Sequence, residues 1–136
     1  MSDWYTTVHK PPWAPPSWLF GAAWAVIYAL YAALGLAIAL AYANAGTDGG
    51  TAAVLGLYAG ALAWNLLWVP LFRDSASYGS FAWIVALLAL VAALLVAVAT
   101  RLPYRHRVAL ALVTLAPYAL WLCFAAALSF SIARLN

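Results

Sequence analysis

Four long apolar segments make up most of the chain, and short polar links separate them. They cover about residues 17–43, 51–72, 78–100 and 108–133. Each is long enough to cross a bilayer as an α-helix, which takes about 20 residues. No Asp, Glu, Lys, Arg or His lies well inside any of them. The pattern predicts an all-α integral membrane protein, a four-helix transmembrane bundle forming one domain over residues 1–136.

The stretch before the first apolar segment, residues 1–16, differs from the rest of the chain and is called the lead-in. Four of the seven prolines lie in it, at Pro11, Pro12, Pro15 and Pro16. Because proline fixes φ and disfavours helix in the residue before it, we expect residues 10–16 to form an ordered, extended loop. The helix that follows carries Phe20, Trp24 and Tyr28 on one face, since they are four residues apart. A stiff loop beside an aromatic helix face predicts a lid over a pocket.

Composition narrows the class of protein. The chain is 69% hydrophobic and 7% charged, with a mean hydropathy of +0.98, which excludes a water-soluble domain. The basic residues are too few and too scattered for a nucleic-acid groove, and the net charge of +3 suits anionic lipid headgroups. The single cysteine, Cys123, lies in an apolar segment, so we expect no disulfide, no metal site and only an apolar role for this side chain.

Four crossings place the lead-in, the link between the second and third apolar segments, and the C-terminal residues on one side of the membrane. The Lys and Arg residues divide evenly between the two sides, with Lys10, Arg73 and Arg134 on one and Arg101, Arg105 and Arg107 on the other. The positive-inside rule therefore gives no orientation. High alanine and glycine usage favours a bacterial cell membrane, without distinguishing inner from outer.

Two helix features bear on packing. Gly56 and Gly60 form a GxxxG pattern, which permits close helix contact but is common in membrane segments. Pro117 removes the hydrogen-bond donor that would pair with the carbonyl of Val113, so a kink is expected, with Thr114 helping to satisfy that carbonyl.

Asn65 is the polar side chain that stands out inside the apolar segments. It holds the bundle together by an interhelical hydrogen bond, or it is a polar anchor in a ligand pocket, and the sequence leaves both interpretations open. Trp24, Trp68 and Trp121 lie away from the segment ends, where interfacial aromatic residues normally occur. Together these residues favour a pocket for a flat, apolar, aromatic ligand. No nucleophile–base set can be assembled, so no catalytic residue is assigned.

Three ordered motifs resemble the TspO/MBR family, the tryptophan-rich sensory proteins and the mitochondrial translocator protein (peripheral benzodiazepine receptor). The first motif covers the lead-in and the next helix, with Trp4-Tyr5, Lys10-Pro11, Trp13-x-Pro-Pro-x-Trp18, Phe20, Trp24 and Tyr28. The second is Trp64-Asn65-Leu-Leu-Trp68-Val-Pro70-Leu-Phe72. The third is Pro117-Tyr118-x-x-Trp121-x-x-Phe124-Ala125 with the closing Leu135-Asn136.

The resemblance implies a bundle that binds porphyrins such as protoporphyrin IX, haem-like tetrapyrroles, or benzodiazepine-type compounds under the lid. The implied ligand-binding residues are Tyr5, Pro15, Phe20, Trp24, Tyr28, Asn65, Trp68, Trp121 and Ala125. Light-dependent porphyrin breakdown, reported for some members, would place Trp24 and Trp121 beside the ring. The porphyrin would be a ligand, and no cofactor is obligatory. Family members are commonly homodimers, which implies a homodimer here, with the face carrying Gly56 and Gly60 as the expected contact.

The chain also departs from the family pattern. The family has five membrane helices, and the match begins where the first should have ended, so we expect that helix to be absent or the reading frame to be truncated. Ala61 stands where a glutamine is usual, and Ser129 where an asparagine is usual. These changes make the expected pocket less polar. The cholesterol-recognition segment of vertebrate members is not reproduced, so cholesterol binding is not expected.

Four functional hypotheses follow. The leading one is a membrane receptor or carrier that binds tetrapyrroles. The second is a small four-helix transporter of hydrophobic compounds, although such transporters use a membrane-embedded glutamate that this chain lacks. The third is a photo-oxidative enzyme that consumes porphyrin, and the fourth is a degenerate paralogue that folds but binds nothing.

Overall fold

The computed structural model describes residues 5, 7–45, 49–72 and 76–136. Within these ranges there are four long α-helices and no strand: α1 (Ser17–Ala45), α2 (Gly49–Phe72), α3 (Tyr78–Arg101) and α4 (Arg107–Leu135). Tyr5 and Thr7 of the lead-in are also helical. Each is long and apolar enough to cross a membrane. The prediction of an all-helical, four-helix membrane protein is confirmed. Trp4 and Arg73, which entered the sequence motif and the charge count, lie outside the described residues.

The helices pack in a ring in which α3 lies between α2 and α4, and α1 closes the ring. The α3–α4 contact is the most extensive, and the α1–α2 contact is the smallest of the four. The buried residues on each helix are spaced by three and four, which places them on one stripe. On α3 and α4 this stripe consists of Ile84, Leu87, Val91, Leu94 and Val98, facing Ala111, Leu115, Tyr118, Leu122 and Ala126.

Local sequence determines where α3 begins and ends. The Ser77 side chain accepts a hydrogen bond from the backbone N–H of Ser80 at 3.2 Å, which caps the first turn. At the other end, Leu102 is extended because Pro103 follows it. The Arg107 guanidinium then donates to the carbonyls of Ala99 at 3.0 Å and Leu102 at 3.4 Å, groups that the helix leaves without donors.

Two reciprocal aromatic pairs tie α2 to its neighbours. The rings of Tyr31 and Tyr58 stack at 4.2 Å, and each hydroxyl donates to the other residue's carbonyl, at 2.7 and 2.8 Å. The rings of Trp64 and Trp83 stack at 3.8 Å, with the same exchange of indole N–H groups and carbonyls at 3.0 and 2.8 Å. Because each pair links α2 to a neighbouring helix through two hydrogen bonds, α2 cannot rotate about its axis without breaking those bonds.

The lead-in differs in one respect from its predicted conformation. Residues 10–16 lie outside any helix, but they are not fully extended, because the N–H of Ala14 donates to the carbonyl of Pro11 at 3.0 Å. Pro12 and Trp13 form the centre of this turn. Proline is favoured at the second position of such turns, since its fixed φ already matches.

The expected pairing of Thr114 with the carbonyl of Val113 is wrong. The Thr114 hydroxyl donates to the carbonyl of Leu110 at 2.7 Å. A helical threonine reaches the carbonyl four residues back, and for Thr114 that residue is Leu110. Helix α4 continues through Pro117 to Leu135.

Candidate functional site

Five aromatic side chains meet between α1 and α4 and are called the aromatic cluster. Spacing of three and four residues puts each set on one face of its helix. The packing of α1 against α4 then brings the two faces together. The members are Phe20, Trp24 and Tyr28 from α1, and Tyr118 and Trp121 from α4.

Most contacts in the aromatic cluster are edge-to-face. The ring centres of Trp24 and Trp121 are 6.3 Å apart at 87°, and those of Trp24 and Tyr118 are 6.0 Å apart at 83°. Phe20 meets Trp121 at 5.7 Å, while Trp24 and Tyr28 are more nearly parallel at 5.5 Å and 29°. Edge-to-face pairs are one of the arrangements that ring quadrupoles favour.

Asn65 joins this cluster to α2. Its side-chain oxygen accepts a hydrogen bond from the Tyr28 hydroxyl at 2.6 Å, and its amide nitrogen donates to the Tyr118 hydroxyl. Asn65 is only 6% exposed. The interhelical hydrogen bond is therefore present, and it lies directly beside the aromatic rings. The two interpretations of Asn65 do not compete, since one amide can orient two rings and line a pocket.

The indole N–H of Trp121 is the unsatisfied group of the cluster. Its nitrogen is buried and finds no hydrogen-bond partner among the described residues. A buried donor left unpaired typically costs about 1–3 kcal/mol. An unpaired donor in a native structure therefore usually has a structural or functional explanation. A ligand with a carbonyl, carboxylate or other acceptor would satisfy it.

The lead-in covers the Phe20 end of the cluster. Tyr5 is buried against Leu128 and Ile132, and its ring meets Phe20 at 5.1 Å. The Tyr5 hydroxyl donates to the carbonyl of Pro15 at 2.6 Å. Burial raises the pKa of the Tyr5 phenol, so it stays a neutral donor. Two contacts within the lead-in stabilise its conformation, since the Lys10 ammonium donates to the Tyr5 carbonyl at 2.9 Å and lies 5.0 Å from the centre of the Tyr5 ring.

The remaining residues expected in the pocket lie in different places. Ala125 lies one turn beyond Trp121 on α4 and is partly buried against the core. The indole N–H of Trp68 donates to the Ser80 hydroxyl on α3 at 3.0 Å. Ser80 also accepts from Ser129 of α4 at 3.2 Å. Within the described chain Trp68 makes no ring contact with the aromatic cluster, so this side chain belongs to the α3 side of α2.

Two residues of the third motif, Tyr118 and Phe124, were not among the implied ligand-binding residues. Tyr118 contacts both Asn65 and Trp24, and Phe124 lies 5.3 Å from Trp121 and 5.8 Å from Trp13 of the lead-in. The available signal was spacing, because each lies three residues from Trp121 and so shares its face.

With this geometry established, known proteins provide the comparison. The family model for the TspO/MBR family matches residues 1–135. The chain belongs to the TspO/MBR family.

Relatives in this family come from animals and bacteria. The translocator protein of Ovis aries is 38% identical over 127 residues, covering 93% of this chain and 71% of that protein. Protein CrtK of Rhodobacter capsulatus is 35% identical over 133 residues, 98% of this chain and 78% of CrtK. The tryptophan-rich sensory protein of Cereibacter sphaeroides is 31% identical over 134 residues, with 98% and 77% covered. The sequence resemblance to TspO/MBR is confirmed.

Proposed function

We propose that this TspO/MBR protein is a membrane receptor or carrier that binds tetrapyrroles such as protoporphyrin IX in the aromatic cluster. The observation that carries the proposal is the Trp24–Trp121 pair, whose rings meet edge-to-face beside a buried and unpaired indole N–H. A porphyrin is a flat aromatic ring with acceptor groups at its rim. It therefore offers both a partner for the ring faces and an acceptor for the Trp121 N–H.

Binding would exchange one kind of aromatic contact for another. An edge-to-face pair contributes about 0.5–1.5 kcal/mol beyond its buried area. A flat ligand that enters between Trp24 and Trp121 breaks this pair, stacks on one of the two rings and meets the edge of the other, because the rings are 87° apart. The Asn65 amide holds the hydroxyls of Tyr28 and Tyr118 and keeps both rings oriented at the edge of the site. The lead-in covers the Phe20 end of the site through Tyr5.

The names of the relatives suit this proposal. One is called a translocator protein and another a tryptophan-rich sensory protein, and both names fit a protein that binds a small molecule within a membrane. We infer a bacterial cell membrane as the location, since relatives occur in Rhodobacter and Cereibacter and the chain is rich in alanine.

We also propose that the protein forms a homodimer through Gly56 and Gly60 of α2. Both residues are exposed, and a Cβ added at either would meet no atom within 4 Å. A second helix could therefore approach the α2 backbone closely at these positions.

A porphyrin titration tests the proposed function. Purified protein in mild detergent is titrated with protoporphyrin IX, and binding is followed by the porphyrin absorption band as well as by tryptophan quenching. We expect saturable binding that weakens about tenfold or more in the Trp24→Ala/Trp121→Ala variant, since one stacked and one edge-to-face contact with the ligand are lost. Trp18→Ala is the matched control, because Trp18 is 70% exposed and lies outside the cluster.

Two results would contradict the proposal. Binding that never saturates would mean that the porphyrin dissolves in the micelle. Equal affinity in the double variant and in the wild type would exclude the aromatic cluster as the site. Repeating the titration in light and in darkness separates binding from photo-oxidation, since only consumption of porphyrin bleaches its absorption band.

A further inference from the structure

A groove lies between α2 and α3 at the end of the bundle opposite the lead-in. Its cavity volume is about 390 Å³. The lining is formed by small and apolar side chains until it reaches the end of α3, where it becomes polar. The lining residues are Ala53 and Leu57 on α2, with Ala93, Val96, Ala97, Thr100 and Arg101 on α3.

The positive charge at the end of this groove, on Arg101, has no partner within the described chain. Arg101 is exposed and makes no hydrogen bond or ion pair with any described residue. Arg107, at the start of α4, by contrast donates to the carbonyls of Ala99 and Leu102. Arg105 lies in the same loop and is exposed as well. The one acidic residue that the sequence places at this end, Asp48, lies outside the described residues.

We propose that this groove binds one anionic phospholipid, with the phosphate at Arg101 and an acyl chain along Ala97 and Ala93. Residues 93–101 of α3 rise about 12 Å along the helix, so the groove runs from the level of the headgroups into the hydrocarbon. Basic sites between membrane helices are typical headgroup sites. Alanine side chains leave room for an acyl chain that larger residues would fill.

A phospholipid suits this surface better than another helix does. A helix packed here would cover the Arg101 guanidinium, and an unpaired charge is expensive to bury away from water. A phospholipid supplies the opposite charge at the same depth as its apolar chain. The site is remote from the aromatic cluster, so the inference stands whether or not the protein binds tetrapyrroles.

Lipid binding to delipidated protein in a neutral detergent tests the charge at Arg101. Native mass spectrometry counts the bound molecules while phosphatidylglycerol, or phosphatidylcholine with the same acyl chains, is added. We expect one phosphatidylglycerol to bind in preference to phosphatidylcholine. Arg101→Gln should lower that preference about fivefold. Arg134→Gln is the matched control, because Arg134 is also exposed and lies at the opposite end of the bundle.

A second pair of variants tests the groove itself. Ala93→Leu fills the groove and should reduce binding of both lipids, whereas Ala92→Leu adds the same volume at an exposed neighbour that does not line it. Three results would overturn the proposal: no preference for phosphatidylglycerol in the wild type, equal effects of Arg101→Gln and Arg134→Gln, or unchanged binding in Ala93→Leu. If Ala93→Leu does not fold, the comparison of Arg101→Gln with Arg134→Gln decides whether the groove binds an anionic phospholipid.

Discussion

A single amide joins three helices of this protein, because Asn65 of α2 is hydrogen-bonded to Tyr28 of α1 and Tyr118 of α4. Hydrogen bonds between membrane helices contribute about 0.6 kcal/mol on average, so this amide adds more to geometry than to stability. Removing it would leave two phenol hydroxyls without their partner beside the aromatic cluster. At the scale of the residue, the bundle and the proposed site share the same polar group.

Gly35 provides the clearest prediction at this scale. A Cβ at Gly35 would overlap the Tyr58 hydroxyl, which is held by its bond to the Tyr31 carbonyl. We expect Gly35→Ala to displace the Tyr31–Tyr58 pair and destabilise the protein by about 1–3 kcal/mol, the usual cost of overpacking. Thermal unfolding followed by circular dichroism in detergent measures this.

Gly21→Ala is the control for this prediction. Gly21 lies in the same helix, and a Cβ there would meet nothing within 4 Å. Alanine is the better helix former, so this variant should be neutral or slightly more stable. Equal unfolding temperatures for the two variants would show that the Tyr31–Tyr58 pair does not need the space at Gly35.

The lead-in lies outside the four long helices, so its position depends on its contacts with the bundle. It contacts the bundle through Tyr5, which packs on α4 and Phe20, and through Asn136. The Asn136 side chain accepts from the His9 N–H at 3.2 Å and donates to the His9 carbonyl at 2.7 Å. The Asn136 amide thus pairs with both backbone groups of His9, as a neighbouring strand would, and holds the lead-in beside the end of α4.

We expect Asn136→Ala to loosen the lead-in without unfolding the helices. Two hydrogen bonds to the lead-in, of about 0.5–1.5 kcal/mol each, are lost, so exchange of the His9 amide hydrogen should accelerate about tenfold. Hydrogen exchange with mass-spectrometric detection measures this, and Leu135→Ala is the control at an exposed neighbour. Unchanged exchange in Asn136→Ala would mean that the apolar contacts of the lead-in, Tyr5 on Phe20 and Trp13 on Phe124, hold it without this amide.

The whole molecule exposes a helix face that its own packing does not use. Helix α2 carries Gly56 and Gly60 on this face, and both are open in the single chain. Because lipid is as apolar as leucine, a second copy gains little from simple burial. It gains from close backbone contact, which glycine permits.

The proposed dimer should therefore depend on the size of these two side chains. We expect the Gly56→Leu/Gly60→Leu variant to be monomeric by light scattering in detergent, under conditions where the wild type is dimeric. Ala89→Leu, at an exposed position on α3, should leave the dimer fraction unchanged. A dimer that survives the double substitution would place the contact on another face.

The sequence determined the features that depend on length and residue type. Long apolar segments without interior charge define membrane helices because the bilayer leaves few alternatives. The spacing of Phe20, Trp24 and Tyr28 was enough to place three rings on one face of α1. Prolines kept residues 10–16 out of a helix, although the turn at Pro12 and Trp13 was not foreseen.

Only the tertiary structure decided which face of each helix points inward. Leu120 is 71% exposed and Leu122 is 1% exposed, although the two residues are identical. In a soluble protein polar residues would mark the outer face, but in lipid both faces are apolar and the periodic signal disappears. The rotation of α2, which directs Asn65 to the aromatic cluster and Trp68 to Ser80, follows from the fit of side chains between helices. That fit involves residues far apart in the chain, so local pattern does not contain it.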